Sequence, residues 1–272
     1  MPLLAGVIGD PIAQSRSPRL HGHWLQRYGI DGHYVPLHVR PDTLRATLQL
    51  LPDLGFRGVN CTIPHKEAAF RMASQATDRA RAVEAANTLT FTEDGGFVAD
   101  NTDGHGFVEN LRQTAPAWSV ARPALVLGAG GAARGIVAAL LQAGVPSVTV
   151  ANRTHARAEA LARLFGPSVT CLDWTAAPAA LARHGLLVNT TSLGMTGQPA
   201  LGFDLSALSE DTTVADIVYA PLVTPLLAEA AARGAQVVDG LGMLLHQAAP
   251  GFERWFGRRP TVDEDLRRAV LG

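Results

Sequence analysis

The sequence is nearly without lysine. Of 23 basic residues in a chain of 272, only Lys66 is lysine and the rest are arginine. A coding bias toward arginine accounts for the general pattern, because surface positions accept either cation. The survivor is either a chance remainder or a position that needs what only lysine offers. Arginine, with a pKa above about 12, cannot release a proton, so it cannot fill a position whose task is to do so. Cysteine is scarce too. Cys61 and Cys171 lie far apart, form no C-x-x-C and read as reduced packing thiols, which argues against a disulfide framework and for a cytoplasmic protein. The net charge is only -1, so nothing electrostatic favours nucleic acid or an anionic membrane as a partner. No apolar run reaches the roughly 18 residues of a membrane-spanning helix. Residues 1–9 lack a basic leader region and read as a first strand. The 9 histidines make no H-E-x-x-H or related pattern, and no metal is expected.

What is present is apolar patterning sufficient for two modest cores. Between residues 3 and 100, the runs 5–8, 33–39 and 58–62 read as strands, and 18–28, 41–51 and 66–73 as helices. Segments 88–92 and 96–99 flank Glu93-Asp94-Gly95, a hairpin signal. Strands alternating with helices predict a largely parallel α/β sheet. The stretch 114–123, with its two prolines, marks a boundary. Beyond it come strands at 124–127, 147–150, 186–188, 213–215 and 236–238, with helices at 131–143 and 156–164, the pattern of a doubly wound nucleotide-binding sheet. The tail returns to helix at 243–255, and Thr261 with Glu264 reads as a capping box for a last helix. The expectation is an α/β protein of two domains. One is a mostly parallel substrate domain of residues 1–105 plus 241–272. The other is a Rossmann-type dinucleotide domain of residues 106–240.

Gly128-Ala129-Gly130-Gly131-Ala132-Ala133 joins a strand to a helix and fits G-x-G-x-x-[GA]. Gly128 permits the tight turn, Gly130 lets the backbone approach a pyrophosphate, and the helix N-terminus holds the anion. An NAD site would end the next strand with a carboxylate for the ribose hydroxyls. Here the strand ends in Asn152-Arg153-Thr154. Arg153 suits a 2'-phosphate and can stack on adenine, so NADP is the expected cofactor. Thr154 either donates its hydroxyl to that phosphate, caps the following helix, or does both.

Lys66 falls in the first turn of a predicted helix, where the helix dipole disfavours a cation by about 0.3–1 kcal/mol. The alternative is a lysine that snorkels to solvent, but a breach of local rules by the sole lysine points to function. A lysine that moves a proton needs a partner, and Asp103, in Asp100-Asn101-Thr102-Asp103-Gly104, is the best candidate. As a bland alternative, Asp103 caps a helix. Asn87 could reach the same pocket. Ser15 and Ser17 either hold a substrate carboxylate or cap the helix that follows them.

These motifs together resemble the shikimate dehydrogenase family along the whole chain. Ser15-Arg16-Ser17-Pro18 is similar to its S-x-S-P loop, and Asn60-Cys61-Thr62-Ile63-Pro64-His65-Lys66-Glu67 to its N-x-T-x-P-x-K-E segment. Ala86-Asn87-Thr88 matches its A-x-N-T segment with the alanine shifted by one, and Asn101-Thr102-Asp103-Gly104 matches N-T-D-G. The glycine-rich loop and the N-R-T-x-x-[KR]-A stretch beginning at Asn152 are like the NADP-using members. Asn189-Thr190-Thr191-Ser192-Leu193-Gly194-Met195 resembles the N-x-T-S-x-G-M loop. Later segments resemble Y-x-P-x-x-T-P-L-L from Tyr219 and G-x-x-M-L-x-x-Q-A from Gly240. Cys61 and His65 fill variable places.

The resemblance implies a reversible, NADP-dependent reduction of 3-dehydroshikimate to shikimate, with Lys66 as acid/base and Asp103 as its partner. It implies that Ser15, Ser17, Thr62, Asn87, Asp103, Tyr219 and Gln247 line the substrate pocket. For NADP it implies Gly128, Ala129, Gly130, Gly131, Ala132, Asn152, Arg153, Thr154, Ile217 and Gly240, with Asp78 a further candidate. The expected partners are small molecules, in a monomer or homodimer. The nearest alternative is a quinate/shikimate dehydrogenase preferring NAD, against which Asn152-Arg153-Thr154 speaks.

Overall fold

The structure, a computed structural model, describes residues 2–272. The chain forms two compact units, one of Met1–Thr102 with Leu245–Gly272 and one of Asp103–Leu244. The divisions fall where α5 (Asp103–Thr114) begins and inside α10 (Gly240–Phe256).

In the first unit the elements are β1 (Leu3–Gly9), α1 (Ser17–Arg27), β2 (Gly32–His38), α2 (Leu44–Leu50), β3 (Phe56–Cys61), α3 (Lys66–Met72), β4 (Gln75–Ala76), α4 (Asp78–Val83), β5 (Thr88–Phe91) and β6 (Phe97–Asp100). The C-terminal part of α10 and α11 (Glu264–Leu271) belong to this unit. The sheet order is β2-β1-β3-β5-β6-β4. β1 runs parallel to β2 and β3, and β5 antiparallel to β3 and β6. β1 is a nearly continuous apolar run with its last five residues buried, as a strand covered on both faces requires. One side is covered by Leu44, Leu48 and Ala69, which pack with Ile8, Val59 and Leu89. An aromatic group that includes Trp24, Tyr34, Phe252 and Trp255 surrounds His21, whose ring stacks on Tyr34 at 3.9 Å. Gly58 is required in this packing, because a Cβ there would overlap the Trp255 ring and the Leu89 carbonyl. Burial pushes the His21 imidazole down to about 3, so it packs as a neutral ring.

α11 is capped by Asp263, whose carboxylate accepts from the Leu266 N–H at 3.0 Å. This corrects the expected Thr261–Glu264 box. The Thr261 backbone is engaged elsewhere, its N–H donating to the Tyr28 hydroxyl at 2.8 Å and its carbonyl accepting from Trp24 Nε1 at 3.0 Å.

The second unit adds β7 (Ala124–Leu127), α6 (Gly131–Gln142), β8 (Val148–Asn152), α7 (His155–Phe165), β9 (Val169–Asp173), α8 (Ala177–Ala180), β10 (Leu186–Asn189), β11 (Thr213–Asp216), α9 (Pro225–Ala232) and β12 (Gln236–Val238). All six strands are parallel, in the order β12-β11-β10-β7-β8-β9. Alternate residues of β7 feed two cores. Ala124 and Val126 pack with Ile136, Val137 and Leu140, while Leu125 and Leu127 pack with Leu181, Leu205 and Leu226. The strand order reverses at β7, and sheets of this kind bind ligands beyond the carboxyl ends of their strands at such a switch point.

Candidate functional site

In the first unit, hydrogen bonds link most of the expected substrate residues into one region. Lys66 is the first residue of α3 and is half-buried. Its carbonyl accepts from the Ala86 N–H at 2.8 Å, which sets it beside the Asn87 segment. Asn87 is buried, and its Oδ1 accepts from the Thr102 N–H at 2.9 Å. The Thr102 hydroxyl in turn donates to the Gln247 carbonyl at 2.8 Å. Thr62 closes the turn before Lys66, its N–H donating to the Ile8 carbonyl at 3.0 Å and its carbonyl accepting from the His65 N–H at 2.9 Å.

Ser15 is partly spent on structure, because its Oγ accepts from the N–H of Ser17, the first residue of α1, at 3.3 Å. The Ser17 hydroxyl bonds to the Tyr34 phenol. That phenol donates to Asn60 Oδ1 at 2.6 Å, and Asn60 Nδ2 donates to the Asn87 carbonyl at 3.0 Å. Asp78 is exposed at the start of α4 and pairs with Arg81 at 3.3 Å.

Two residues here were missed from the sequence. The family motif gives His65 a variable place, yet it is 1% exposed and its Nε2 lies 2.7 Å from the Val39 carbonyl. It thereby pins the residue before Lys66 to the segment after β2. Asp100, at the end of β6, is fully buried. It accepts from Arg79 Nη2 at 2.6 Å, the Thr77 hydroxyl at 2.7 Å and the Asn101 N–H at 2.8 Å, and it pairs with Arg254 at 2.9 Å. Desolvation opposes its charge, but these bonds outweigh it and hold the carboxyl below its ordinary range.

In the second unit Asp103 is the buried first residue of α5. The glycine-rich turn leaves β7 at Gly128, whose φ of +108° is a glycine conformation and whose Cβ would crowd Thr190 Oγ1 at 2.6 Å. Gly130 is the N-cap of α6 with no side-chain cap, and a Cβ at Gly130 or Gly131 would meet only open space. An uncapped helix start with nothing above its glycines fits the pyrophosphate of a dinucleotide.

Asn152 ends β8 and donates from Nδ2 to the Thr154 carbonyl at 2.9 Å, which shapes the turn that presents exposed Arg153. Thr154 occupies the N-cap of α7, but its side chain accepts no capping bond. Ile217 and Gly240 are in contact, because a Cβ on Gly240 would overlap the Ile217 carbonyl. Tyr219 lies two residues beyond Ile217 and is half-buried. Among the described residues no group of three or more His, Cys, Asp or Glu is arranged to hold a metal, and no helix is long and apolar enough to cross a membrane.

Comparison with known proteins bears on this arrangement. Residues 7–89 match the shikimate dehydrogenase substrate binding domain, residues 111–195 the shikimate/quinate 5-dehydrogenase family, and residues 240–269 the shikimate 5'-dehydrogenase C-terminal domain. A shikimate dehydrogenase (NADP(+)) of Jannaschia sp. is 62% identical over 98% of this chain and 97% of its own. One from Paracoccus denitrificans is 60% identical over 98% of this chain and 95% of its own. Among solved structures, the Thermus thermophilus shikimate 5-dehydrogenase in complex with NADP(H) and shikimate is 36% identical, covers 99% of this chain and 98% of its own, and superposes with a TM-score of 0.89. A Corynebacterium glutamicum quinate dehydrogenase in complex with NAD is 30% identical over 99% of both chains, with a TM-score of 0.92. An ordered set of motifs, a parallel sheet with an open glycine turn at its switch point, and full-length identity to named relatives all lead to one assignment: the chain belongs to the shikimate dehydrogenase family.

Proposed function

We propose that this chain catalyses the reversible, NADP-dependent reduction of 3-dehydroshikimate to shikimate in aromatic amino acid biosynthesis, with Lys66 as acid/base and Asp103 as its partner. The observation that carries the reading is the placement of the sole lysine at the head of α3, joined through Ala86 to the Asn87 segment. In the direction of reduction the Lys66 ammonium gives its proton to the oxygen developing at C3, and its charge stabilises that oxygen. In the reverse direction the amine takes the hydroxyl proton. Asp103 orients Lys66. Ser15 and Ser17 hold the substrate carboxylate, and Thr62, Asn87, Tyr219 and Gln247 hold and orient the rest of the ring.

The cofactor residues are Gly128, Ala129, Gly130, Gly131 and Ala132 for the pyrophosphate and Asn152, Arg153 and Thr154 for the 2'-phosphate end, with Ile217 and Gly240 as further contacts. When bound, the nicotinamide supplies the hydride donor or acceptor. We assign the enzyme to the cytoplasm, as a monomer or homodimer. The scarcity of cysteine supports the compartment.

The test follows reduced-nicotinamide absorbance with 3-dehydroshikimate, using NADPH and NADH in parallel. Fast consumption of NADPH with slow consumption of NADH is the expected result. Equal or better use of NADH would move the chain to the NAD-using quinate/shikimate branch and overturn the role given to Asn152, Arg153 and Thr154. Folded protein that binds NADP but oxidises neither would overturn the catalytic reading.

A further inference from the structure

Asp216 ends β11 and is 2% exposed. Its carboxylate gathers three neutral donors. Oδ1 accepts from Asn189 Nδ2 and from the Val218 N–H, each at 3.0 Å, and Oδ2 accepts from the Thr224 hydroxyl at 2.8 Å. These donors come from three separate places at the carboxyl edge of the parallel sheet: the end of β10, the segment leaving β11, and the N-cap of α9. A carboxylate accepts at both oxygens, whereas an amide in the same place would set its own N–H groups against a donor.

The same residues carry further bonds outward. Asn189 Oδ1 accepts from the Thr191 N–H at 3.0 Å, and its Nδ2 also donates to the Leu193 carbonyl at 3.1 Å, which fixes the loop after β10. The Ile217 N–H donates to the Asn189 carbonyl at 3.1 Å, and the Val218 carbonyl accepts from the Gly240 N–H at 3.3 Å. Residues 216–218 are thus pinned on both sides, and Asp216 is the shared anchor.

We propose that Asp216 is a positioning residue for hydride transfer. Its carboxylate sets the path of residues 217–219 and with it the placement of Ile217 and Tyr219. The inference rests on the reading above that Ile217 meets the cofactor and Tyr219 the substrate. Hydride transfer demands close alignment of donor and acceptor carbons, and a misplacement of about 1 Å costs on the order of a hundredfold in rate. Loss of this anchor therefore acts on turnover more than on cofactor affinity, because the pyrophosphate and 2'-phosphate ends are held by the loops after β7 and β8.

The experiment uses the full chain and compares Asp216→Asn, Thr224→Val and Thr224→Ser, each assayed well below its own Tm. Asp216→Asn is expected to lower kcat by roughly tenfold to a hundredfold, to raise the primary deuterium isotope effect with NADPH deuterated at C4, and to leave NADP+ affinity by calorimetry near that of the parent. Thr224→Val should move kcat in the same direction, and Thr224→Ser, which keeps the hydroxyl, should restore it. The double variant Asp216→Asn/Thr224→Val should fall no further than Asp216→Asn alone, since both act through one interaction.

A folded Asp216→Asn with parent kcat, KM values and isotope effect would overturn the proposal and leave Asp216 a purely structural group. If Asp216→Asn does not fold, equal kcat in Thr224→Val and Thr224→Ser overturns it instead. Parent-like turnover in Lys66→Ala would refute the acid/base reading, and the Asp216 result would be judged separately from it.

Discussion

Each unit ends a strand with a buried carboxylate that leads straight into proposed site residues; both accept from neutral donors, but only Asp100 is also paired with cations. Asp100 precedes Asn101, Thr102 and Asp103 and is met by two guanidinium groups, Arg79 from α4 and Arg254 from α10. Asp216 precedes Ile217 and Tyr219, and its three hydrogen-bond donors are all neutral. Desolvation raises both carboxyls, but at Asp100 the bonds from Arg79 and Thr77 and the charges of Arg79 and Arg254 outweigh it and hold the group below its ordinary range, whereas at Asp216 burial dominates and pushes it up. A loop can therefore be anchored by charge pairing, at the cost of desolvating several ions, or by neutral donors that leave the carboxylate only partly compensated.

Truncation separates the two carboxylates most strongly. Asp100→Ala strands two arginines and should destabilise the protein by about 3 kcal/mol, the low end for a broken buried pair, because Arg79 and Arg254 are 32% and 34% exposed and water can take over part of their solvation. Asp216→Ala strands only neutral donors and should cost about 1–3 kcal/mol. Urea unfolding of both variants checks the order, and a larger loss at Asp216 would contradict it.

pH sharpens the same contrast, because the signs differ. The Asp100 carboxyl lies below its ordinary 3.8, so its contribution is complete above about pH 3.8 and is lost as pH falls through the native value. The Asp216 carboxyl lies above 3.8, so the native state keeps a proton that the unfolded chain has released, and stability falls as pH rises through that window. Stability curves of Asp100→Asn and Asp216→Asn against pH should therefore differ from the parent in opposite senses, each by up to about 1.4 kcal/mol per pH unit.

His21 adds a second acid-sensitive group to the first unit. Its imidazole stays neutral down to about 3 while the unfolded chain takes a proton near 6.5. Stability should thus drop by up to about 1.4 kcal/mol per pH unit below 6.5. His21→Phe should flatten that limb, and an unchanged slope would remove His21 as its cause. The smallest effect concerns the last helix. Asp263→Ala should cost about 1 kcal/mol through the lost cap, while Thr261→Ala, which leaves the backbone bonds intact, should change Tm little.

Short apolar runs make β1, β7, β10 and β11 legible in the sequence, because strands buried on both faces read as continuous apolar segments. β9 was not legible: Val169–Asp173 is an edge strand with only its first residue buried. The sequence pattern starts α10 three residues late, since Gly240 and Gly242 are poor helix formers whose reason is close packing against Ile217 and Asn110. The cap of α11 is not legible in the sequence, because the claim on the Thr261 backbone comes from Tyr28 and Trp24, far away in sequence. Lys66, Asp103 and the glycine-rich loop announce themselves by residue type and local spacing. Asp100, Asp216 and His65 do not, because their roles depend on partners that only the fold brings to them.

Proton transfer by Lys66 is the step on which the proposed mechanism rests. The most direct test is kcat for shikimate oxidation with NADP+ in Lys66→Ala and Lys66→Arg, beside KM for both substrates. A fall in kcat of about a hundredfold to ten-thousandfold is expected in both variants, with far smaller changes in KM, since arginine keeps the charge but cannot exchange the proton. Near-parent kcat in either variant would contradict it.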